Sequence, residues 1–472
     1  MFDLTKFDEY KEDNRREVKK AKGGLPVSLW ETYSSFANCY GGAIILGVRE
    51  REDGSWEATG LDHEDKLRKD FWDAINNPNK VSINLLTDND VKIYEVSDGV
   101  IMVITVPRAT REQKLVYING DIFKGTFRRN WEGDYHCTPS EVRAMLRDQT
   151  EQTMDMKILE DWDIADLNQE TIQSYRNLHR SWKRGHVWEM LENEEYLKNI
   201  GAAARSKQDG KLHPTAAEML MFGNEYDIVR EFSEYFLDYR EMLDPTIRWT
   251  DRLQSSSGEW SGNVFDFFFR VYNKIIKDVK IPFKLVGGIR VDDTPVHKAL
   301  REALANCLVN TDFYVVRGVV IKKDQDSIVM ENPGYVRTGK RQMLKGGISD
   351  PRNKALMKMF NMIGIGERAG SGVPDIFSVW EQEGWKEPEI EEQYGPDRTI
   401  LTLSFEKKQA KKTIQNKERI IAFLEDNRVA KTSEIANMLG LSEARTRALL
   451  KEMASEGMVK ASGGTKKRNY YL

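Results

Sequence analysis

A nine-residue segment with four glycines, Gly364 to Gly372, places the tightest limit on how this chain of 472 residues folds. It stands between two helical patterns, Pro351 to Met362 and a segment that begins at Pro374. Small residues let backbone N–H groups approach a ligand, and the following helix presents its positive end, so the segment can cradle phosphates. A Rossmann loop is disfavoured because the glycines follow a helix and do not have the GxGxxG spacing.

A carboxylate and an amide lie four residues apart upstream of this segment, at Glu302 and Asn306, on a helix predicted from Pro295 to Asn310. The spacing puts both side chains on one helix face. A carboxylate can orient or deprotonate a water, and an amide oxygen is a suitable ligand for a phosphate-bound Mg²⁺. An ordinary solvated helix face also produces such a pair, so the neighbouring motifs decide its meaning.

Two further motifs follow this pair in the sequence. Glu331-Asn332-Pro333-Gly334 follows a predicted strand, and Pro351-Arg352-Asn353 opens the helix before the glycines. The order REALANCLVNTDF, ENPG, DPRNKAL, IGERAGSGVPDI, over residues 290 to 405, resembles the ATP-binding domain of the gyrase, Hsp90, histidine kinase and MutL type (GHKL). The resemblance is to the variant that is attached to AlbA_2 or Schlafen-like domains and is related to RecG-like regulators.

This resemblance implies a Bergerat-type α/β sandwich that binds ATP and Mg²⁺, with Glu302 activating water and Asn306 holding the metal. Asn332 stands at the position of the family's adenine-reading aspartate. Further implied ATP contacts are Asn310, Asp312, Gly334, Arg352, Asn353, Gly370, Ser371 and Gly372. The third family segment is here Asn310-Thr311-Asp312-Phe313, which lacks the family's histidine and tyrosine. Whether ATP is hydrolysed is therefore left open, and ATP binding alone could serve as a switch. A degenerate domain that no longer binds ATP is the alternative.

The first 150 residues alternate helical and strand patterns. We predict a charged helix over Asp8 to Arg16, a second helix over Leu29 to Phe36 and a strand over Ala43 to Val48. The segment from Ser34 to Val48 and the later Phe123 to Arg129 resemble the AlbA_2 (Schlafen-like) core, whose members bind nucleic acid. Implied phosphate contacts, with ordinary surface charge as the alternative, are Lys19, Lys20, Lys22, Arg128 and Arg129.

Some Schlafen proteins are metal-dependent RNases with three acidic residues, two of them five positions apart, and Glu12 and Glu17 reproduce that spacing. On one helix they would lie about 140° apart, so the helix has to end between them. A strand through Glu17 and Lys19 would put both on one face, fit for a metal such as Mn²⁺ and a water. Glu50, with Asp53 next, is the candidate for the third carboxylate. An ordinary salt bridge between Glu17 and Lys19 also fits.

The carboxy-terminal end carries a different charge from the rest. Residues 407–472 contain 15 Lys and Arg against 7 Asp and Glu, whereas residues 1–406 contain 56 against 68. Three predicted helices (Lys417 to Asp426, Thr432 to Leu439 and one capped by Ser442), a turn at Gly440 and a basic hairpin indicate a winged helix-turn-helix. Predicted DNA contacts are Ser442, Arg445, Thr446, Arg447, Lys466, Lys467 and Arg468. Protein contacts by the same module are the alternative.

We therefore predict an α+β multidomain protein: an AlbA_2-like α/β domain over 1–150, a mostly helical connector over 151–289, a GHKL-like domain over 290–406 and a linker with a winged helix over 407–472. Val264 to Ile276 is a helix whose apolar stripe is core. No apolar run reaches the ~18–20 residues of a membrane span, and the start lacks an apolar signal core, so a cytoplasmic protein is expected. Three scattered cysteines argue against disulfides and a zinc site.

The leading hypothesis for function is an ATP-binding regulator of transcription in which Mg-ATP shifts lid elements near Pro351 to Arg368 and so changes domain or dimer arrangement and DNA affinity. The first alternative is a nucleotide-gated, metal-dependent nuclease acting on RNA or DNA, in phage defence. The second is a structural protein that uses ATP to oligomerise. DNA is the expected partner, RNA the partner of the nuclease alternative, and a homo-oligomer the expected state.

Overall fold

The structure is a computed structural model that describes residues 10, 12–96, 99–150, 152–277, 284–286, 289–291, 293–366, 370–394, 397–408, 411–462 and 468–472. The chain separates into two compact units. The first comprises Met1–Glu383 and Glu387–Phe405, and the second comprises Gly384–Lys386 and Glu406–Leu472. The mixed α/β, multidomain character predicted from the sequence is confirmed.

The first unit begins with a four-stranded sheet in the order β1-β2-β6-β5, in which β1 is parallel to β2 and the other pairs are antiparallel. Strand β2 is apolar throughout because both of its faces are covered: Ile44 packs with helix α1 on one side and Ile45 packs with Trp56 on the other. The elements of this part are β1 Arg16–Lys19, α1 Ser28–Asn38, β2 Gly42–Leu46, β3 Val48–Glu50, β4 Trp56–Ala58, α2 Glu64–Ile75, β5 Val91–Val96, β6 Gly99–Val106, β7 Phe127–Asn130, β8 Gly133–His136 and α3 Pro139–Asp148.

The predicted charged helix over Asp8 to Arg16 is wrong within the described residues. Residues 12–15 are not helical, and β1 starts at Arg16 in parallel register with Ala43 of β2. Backbone hydrogen bonding to a strand more than twenty residues later wins over the local helix preference of the charged sequence. Asp8, Glu9 and Lys11 lie outside the described residues.

A helical part with two small strand pairs follows. Helix α8 carries the predicted core stripe, since Phe267, Phe268, Val271 and Ile275 are all buried. The elements are α4 Gln169–Trp182, α5 Asn193–Ile200, β9 Ala203–Arg205, β10 Leu212–Pro214, α6 Ala216–Phe222, α7 Glu225–Glu231, β11 Leu237–Glu241, β12 Asp251–Gln254, α8 Val264–Ile276, β13 Lys284–Val286 and β14 Ile289–Val291.

A six-stranded sheet in the order β12-β11-β15-β16-β18-β17 forms the second half of this unit, with α9 packed against β16, α8 and α12. Its first two strands come from the predicted connector over 151–289, so the sheet extends beyond the predicted domain over 290–406. Strand β11 is parallel to β15, and the other neighbours are antiparallel. The remaining elements are α9 Pro295–Val309, β15 Val319–Lys323, β16 Ser327–Pro333, α10 Lys340–Lys345, α11 Lys354–Met362, α12 Gly372–Gln382, β17 Glu389–Gln393 and β18 Arg398–Ser404.

Buried ion pairs join the amino-terminal sheet and its helix α3 to the six-stranded half. Burial alone would lower the pKa of the Arg352 guanidinium, but the carboxylates of Asp148 and Asp312 raise it. The pairs that cross between the two halves are Arg108–Glu392, Arg111–Asp350, Arg147–Asp312 and Arg352–Asp148. The two halves therefore share a polar interior instead of meeting only through surface contacts.

The second unit consists of three helices and a three-stranded antiparallel sheet in the order β19-β21-β20. Its core is formed by Ile420, Leu424, Ile435, Leu450 and Met453. Lys417 ties α13 to α15 through Glu452 and Glu456, at 2.7 and 2.8 Å. The elements are α13 Lys411–Asn427, β19 Ala430–Lys431, α14 Thr432–Leu439, α15 Glu443–Ser455, β20 Lys460–Ser462 and β21 Asn469–Tyr471.

None of the helices in the described ranges combines the length and the apolarity needed to cross a bilayer. Cys39, Cys137 and Cys307 are free and buried.

Candidate functional site

An open cavity lies in the six-stranded half of the first unit. Helix α9, strands β16 and β18, the loop before α11 and the first turn of α12 surround it. Its polar lining is Glu302, Asn306, Asn310, Asn332, Arg337, Thr338, Ser349, Asp350 and Thr399. Its apolar lining includes Met330, Tyr335, Val336, Met343, Ile348, Met357, Ile390 and Leu401. A cavity with apolar walls and a few converging polar groups is the usual form of a small-molecule site.

One wall is the polar face of α9. The Asn306 amide nitrogen donates to Oε1 of Glu302 at 3.1 Å, and the Asn310 amide nitrogen donates to the carbonyl oxygen of Asn306 at 2.9 Å. The four-residue spacing thus brings the predicted pair into direct contact on the cavity side of the helix. Because Asn306 binds Glu302 through its nitrogen, its amide oxygen is the atom left to coordinate a cation.

The glycine segment brings the start of α12 against Glu302. A Cβ on Gly372 would lie 2.1 Å from Oε1 of Glu302, so a larger residue there would displace this carboxylate. Gly370 and Gly372 line the cavity, and Ser371 is the residue between them that precedes the helix. The first turn of α12 therefore offers backbone N–H groups and a positive helix end next to the carboxylate. Residues 367–369, including Arg368 at the end of the predicted lid, lie outside the described residues.

Asn332 lies on the opposite side, near the end of β16, with only 5% of its surface exposed. Its side-chain nitrogen donates to the carbonyl oxygen of Pro333 at 3.2 Å. Thr399 of the neighbouring strand β18 pairs with Asn332, and Leu401 and Ile390 extend the same wall. This wall combines one amide with flat apolar surface, a combination suited to a heterocyclic base.

Four predicted ATP contacts lie behind the cavity wall instead of in it. Arg352 donates to the carbonyl oxygens of Asn310 and Tyr335 and is ion-paired with Asp148. Gly334 leaves room for that guanidinium, since a Cβ there would lie 2.9 Å from its Nη2. The other two are Asp312, which accepts from Arg147 at 3.0 Å, and Asn353, whose amide nitrogen donates to the carbonyl oxygens of Val309 and Thr311.

These four residues do not line the cavity, and their contact with ATP stays a prediction. The physical reason is that the amino-terminal half supplies oppositely charged partners for Arg352 and Asp312, and Asn353 closes the end of α9. Arg337 and Asp350, by contrast, line the cavity and were not predicted, because the loop over 335–351 carries no recognisable motif before Pro351.

The second predicted site, near β1, brings Glu12 and Glu17 close together. Burial raises the pKa of the Glu12 carboxyl to about 7, and the charges of Glu17 and Glu50 add to the increase. The predicted strand through Glu17 and Lys19 is confirmed, with Glu17 Oε1 at 2.9 Å from Lys19 Nζ. The other Glu17 oxygen lies 2.8 Å from Nη2 of Arg129. In the part of the chain that the structure describes, no group of three His, Cys, Asp or Glu side chains could hold a metal ion.

The predicted phosphate contacts of the amino-terminal half divide into two kinds. Arg129 is 1% exposed and ion-paired with Glu17 and Asp134, so its prediction as a nucleic-acid contact is wrong. Arg128 is held by Glu141 at 3.2 Å. Lys19 is engaged by Glu17, whereas Lys20 and Lys22 are exposed and stay predicted contacts.

In the second unit, the start of α15 presents Arg445 and Arg447 to solvent. Ser442 caps the helix by accepting from the backbone N–H of Arg445 at 3.4 Å. Thr446 is fully buried and its hydroxyl donates to the Ser442 carbonyl, so the prediction that Thr446 faces DNA is wrong. Arg468 is exposed, and the predicted contacts Lys466 and Lys467 lie outside the described residues.

Four family models match separate parts of the chain. Residues 5–137 match "Schlafen, AlbA_2" and residues 317–403 match "Putative ATP-dependent DNA helicase recG C-terminal". Two separate parts of the chain are thus similar to an AlbA_2 domain and to a RecG C-terminal domain. Residues 143–238 match a domain of unknown function, and residues 416–466 match "FaeA-like protein". The predicted resemblances to AlbA_2 and to RecG-like proteins are confirmed, and the GHKL assignment stays a prediction.

Two solved structures show weaker likeness. The DIP2311 protein from Corynebacterium diphtheriae is 18% identical, with 97% of this chain and 92% of that chain covered and a TM-score of 0.43. The N-terminal domain of a RecG-related protein from Nitrosomonas europaea is 25% identical, with 29% of this chain and 90% of that chain covered and a TM-score of 0.23. Both scores are too low to establish a shared overall fold. Among curated proteins no match was found.

Proposed function

We propose that this chain is an ATP-binding, nucleic-acid-binding regulator. Mg-ATP would bind in the cavity lined by α9 (the α9 cavity) and would control how the domains are arranged and how tightly the protein binds DNA. The observation that carries the proposal is the meeting of Glu302, Asn306, Asn332 and the Gly370–Gly372 turn around one cavity. Most of that cavity's remaining wall comes from residues that match the RecG-type ATPase family.

The residues present fit ATP and Mg²⁺. The amide oxygen of Asn306 would hold the metal, and the backbone N–H groups at the start of α12 would receive phosphate oxygens. The wall of Asn332, Thr399 and Leu401 would take the base. Bound Mg²⁺ would neutralise phosphate charge, and Glu302 would orient an attacking water as general base.

Slow turnover is part of the proposal. The segment Asn310 to Phe313 lacks the family's histidine and tyrosine, and Asp312 is committed to Arg147. Few groups besides Glu302 are therefore left to activate water. A nucleotide that stays bound acts by stabilising one conformation over another, which is the requirement for a switch.

The DNA-binding half of the proposal assigns the second unit as a winged helix, with α15 entering the major groove. Three helices with a three-stranded sheet, exposed Arg445 and Arg447, and a net excess of basic residues support it. Phosphate neutralisation by basic side chains supplies most sequence-independent affinity for DNA. The predicted wing between Ser462 and Arg468 lies mostly outside the described residues.

The experiment is a titration of the full chain with DNA, with and without Mg-ATP. We expect heat from ATP binding in calorimetry and a change of at least about fivefold in DNA affinity, which is the lower end of typical coupling between two sites. ATP without Mg²⁺, and Mg²⁺ without ATP, are the controls. Equal DNA affinity under all conditions, or no nucleotide heat, would contradict the proposal.

A metal-dependent nuclease is the second candidate, because the charges of Glu17 and Glu50 both raise the pKa of the Glu12 carboxyl and because Glu17 and Lys19 share a strand face. In the arrangement described, Glu17 is held by Lys19 and Arg129 instead of by a metal. Metal binding would thus require one of these ion pairs to open.

For this candidate we expect the wild type to degrade tRNA or single-stranded DNA in the presence of Mn²⁺ and Glu17→Ala to lose that activity by about 100-fold or more. The matched control is Glu57→Ala, which removes a carboxylate that pairs only with surface arginines on β3 and the following turn. Identical product patterns for wild type and Glu17→Ala would end the idea.

A further inference from the structure

The guanidinium of Arg337 is a buried cation in the wall of the α9 cavity, with 4% of its side chain exposed. Its Nη1 donates to the carbonyl oxygen of Pro351 at 3.0 Å, and its Nη2 donates to the carbonyl oxygen of Asp148 at 3.2 Å. Its Nε makes no hydrogen bond within the described residues and lies 3.6 Å from Oδ2 of Asp350. One donor of a nearly inaccessible cation is therefore unused beside an open cavity.

The Asp350 carboxylate is shared between Arg337 and a second guanidinium. The same Oδ2 accepts from Nε of Arg111 at 3.0 Å, so two guanidinium groups share one carboxylate oxygen. Arg111 in turn donates through Nη1 to the carbonyl oxygens of Asp148 and Thr150, at 2.8 and 3.0 Å. The nearby carboxylate of Asp148 is engaged by Arg352. Burial accordingly lowers the pKa of the Arg337 guanidinium, as expected for a cation without a carboxylate of its own.

We propose that Arg337 is the residue that binds a phosphate group of the nucleotide in this cavity, and that the chain Arg337–Asp350–Arg111 reports the bound phosphate to the amino-terminal half. This inference rests on the proposed function, since it assumes a nucleotide in the cavity. A guanidinium that offers Nε together with an Nη forms the planar pair of donors that matches two phosphate oxygens.

The phosphate changes the charge balance at Asp350. An anion at Arg337 competes with Asp350 for the guanidinium and leaves the carboxylate to pair with Arg111 alone. Arg111 holds the backbone at Asp148 and Thr150, where α3 ends, so its tighter pairing stabilises that stretch. By reciprocity, whatever orders this stretch also favours phosphate binding.

The first test compares ATP with adenosine, which lacks phosphates, on the full chain. Arg337→Gln should weaken ATP binding by about 10- to 100-fold, the usual range for one charge-assisted hydrogen-bonded contact, and leave adenosine binding unchanged. Arg337→Lys keeps the charge but lacks Nε, so its ATP affinity should lie between those of the wild type and Arg337→Gln. The matched control is Arg341→Gln, an exposed arginine on the neighbouring helix α10.

The outcomes separate this inference from the proposed function. Absence of any binding by the wild type overturns both. If the wild type binds ATP and Arg337→Gln keeps the wild-type ratio of ATP affinity to adenosine affinity, only the inference about Arg337 is overturned. This holds both when the two affinities fall together and when neither falls. Retained adenosine binding also shows that the variant is folded.

The second test measures backbone hydrogen exchange at residues 148–150 with and without ATP. The wild type should gain protection in this stretch when ATP is added. Asp350→Asn removes the charge that Arg337 and Arg111 share, so it should bind ATP and show no such gain. Equal protection in the wild type and Asp350→Asn would overturn the proposed transmission.

Discussion

Replacing Asn306 by alanine is expected to abolish Mg-ATP binding, with affinity reduced by about 100-fold or more. The substitution removes the amide oxygen proposed to hold Mg²⁺ and also the 3.1 Å contact that orients the Glu302 carboxylate. Both losses act on the metal and phosphate end of the cavity. Isothermal calorimetry with ATP and Mg²⁺ gives the affinities directly.

Asn177→Ala is the matched control, because it removes the same amide from an exposed position on α4. This variant should bind ATP like the wild type. Adenosine binding by Asn306→Ala should persist, since the Asn332 wall is untouched. An equal heat of ATP binding in Asn306→Ala and the wild type would rule out Asn306 as the metal ligand. No heat of binding in either protein would mean that the site does not bind ATP.

Replacing Arg445 and Arg447 together by alanine is expected to abolish sequence-specific DNA shifts, with affinity reduced by about 100-fold. Each arginine is exposed at the start of α15, and a bidentate arginine contact to a base contributes about 1–3 kcal/mol. The only ion pair described for Arg447 is the exposed one with Glu443 at 3.6 Å, so little stability depends on it.

The control pair is Arg419→Ala with Arg428→Ala, which removes the same charge from α13 and the residue after it. Electrophoretic shifts at two salt concentrations distinguish base contacts from general attraction, because only the latter scales with the number of neutralised phosphates. If the α15 and α13 variants lose affinity equally, α15 is not the reading helix.

Strongly patterned elements could be predicted from the sequence. The apolar stripe of α8, the helix α9, and the strands β16 and β18 carry periodicities that few other structures satisfy. The start of β1 at Arg16, inside the predicted charged helix, and the strand β11 could not be predicted, because their partners lie far away in sequence. For β1 the partner is β2, and for β11 it is β15, about eighty residues later.

The same distinction runs through the candidate site. Glu302 and Asn306 were predictable because a four-residue spacing on one helix brings them together, whereas Gly372 meets Glu302 only through the packing of α12 on α9. Arg352 and Asp312 matched the family pattern in sequence, yet their roles are set by Asp148 and Arg147 from the other half of the unit. The domain boundaries, the winged-helix assignment and the oligomeric state stay predictions.

The ion pair between Arg352 and Asp148 has a consequence for how such a chain can arise by recombination. A crossover between α3 and the six-stranded sheet would take Asp148, the nearer of its two carboxylate partners, from the buried Arg352, and losing one partner of a buried pair costs about 3–5 kcal/mol. That is a large share of the 5–15 kcal/mol by which most domains are stable. The amino-terminal half and the six-stranded half should therefore be inherited together, whereas the boundary near residue 405 separates the two compact units.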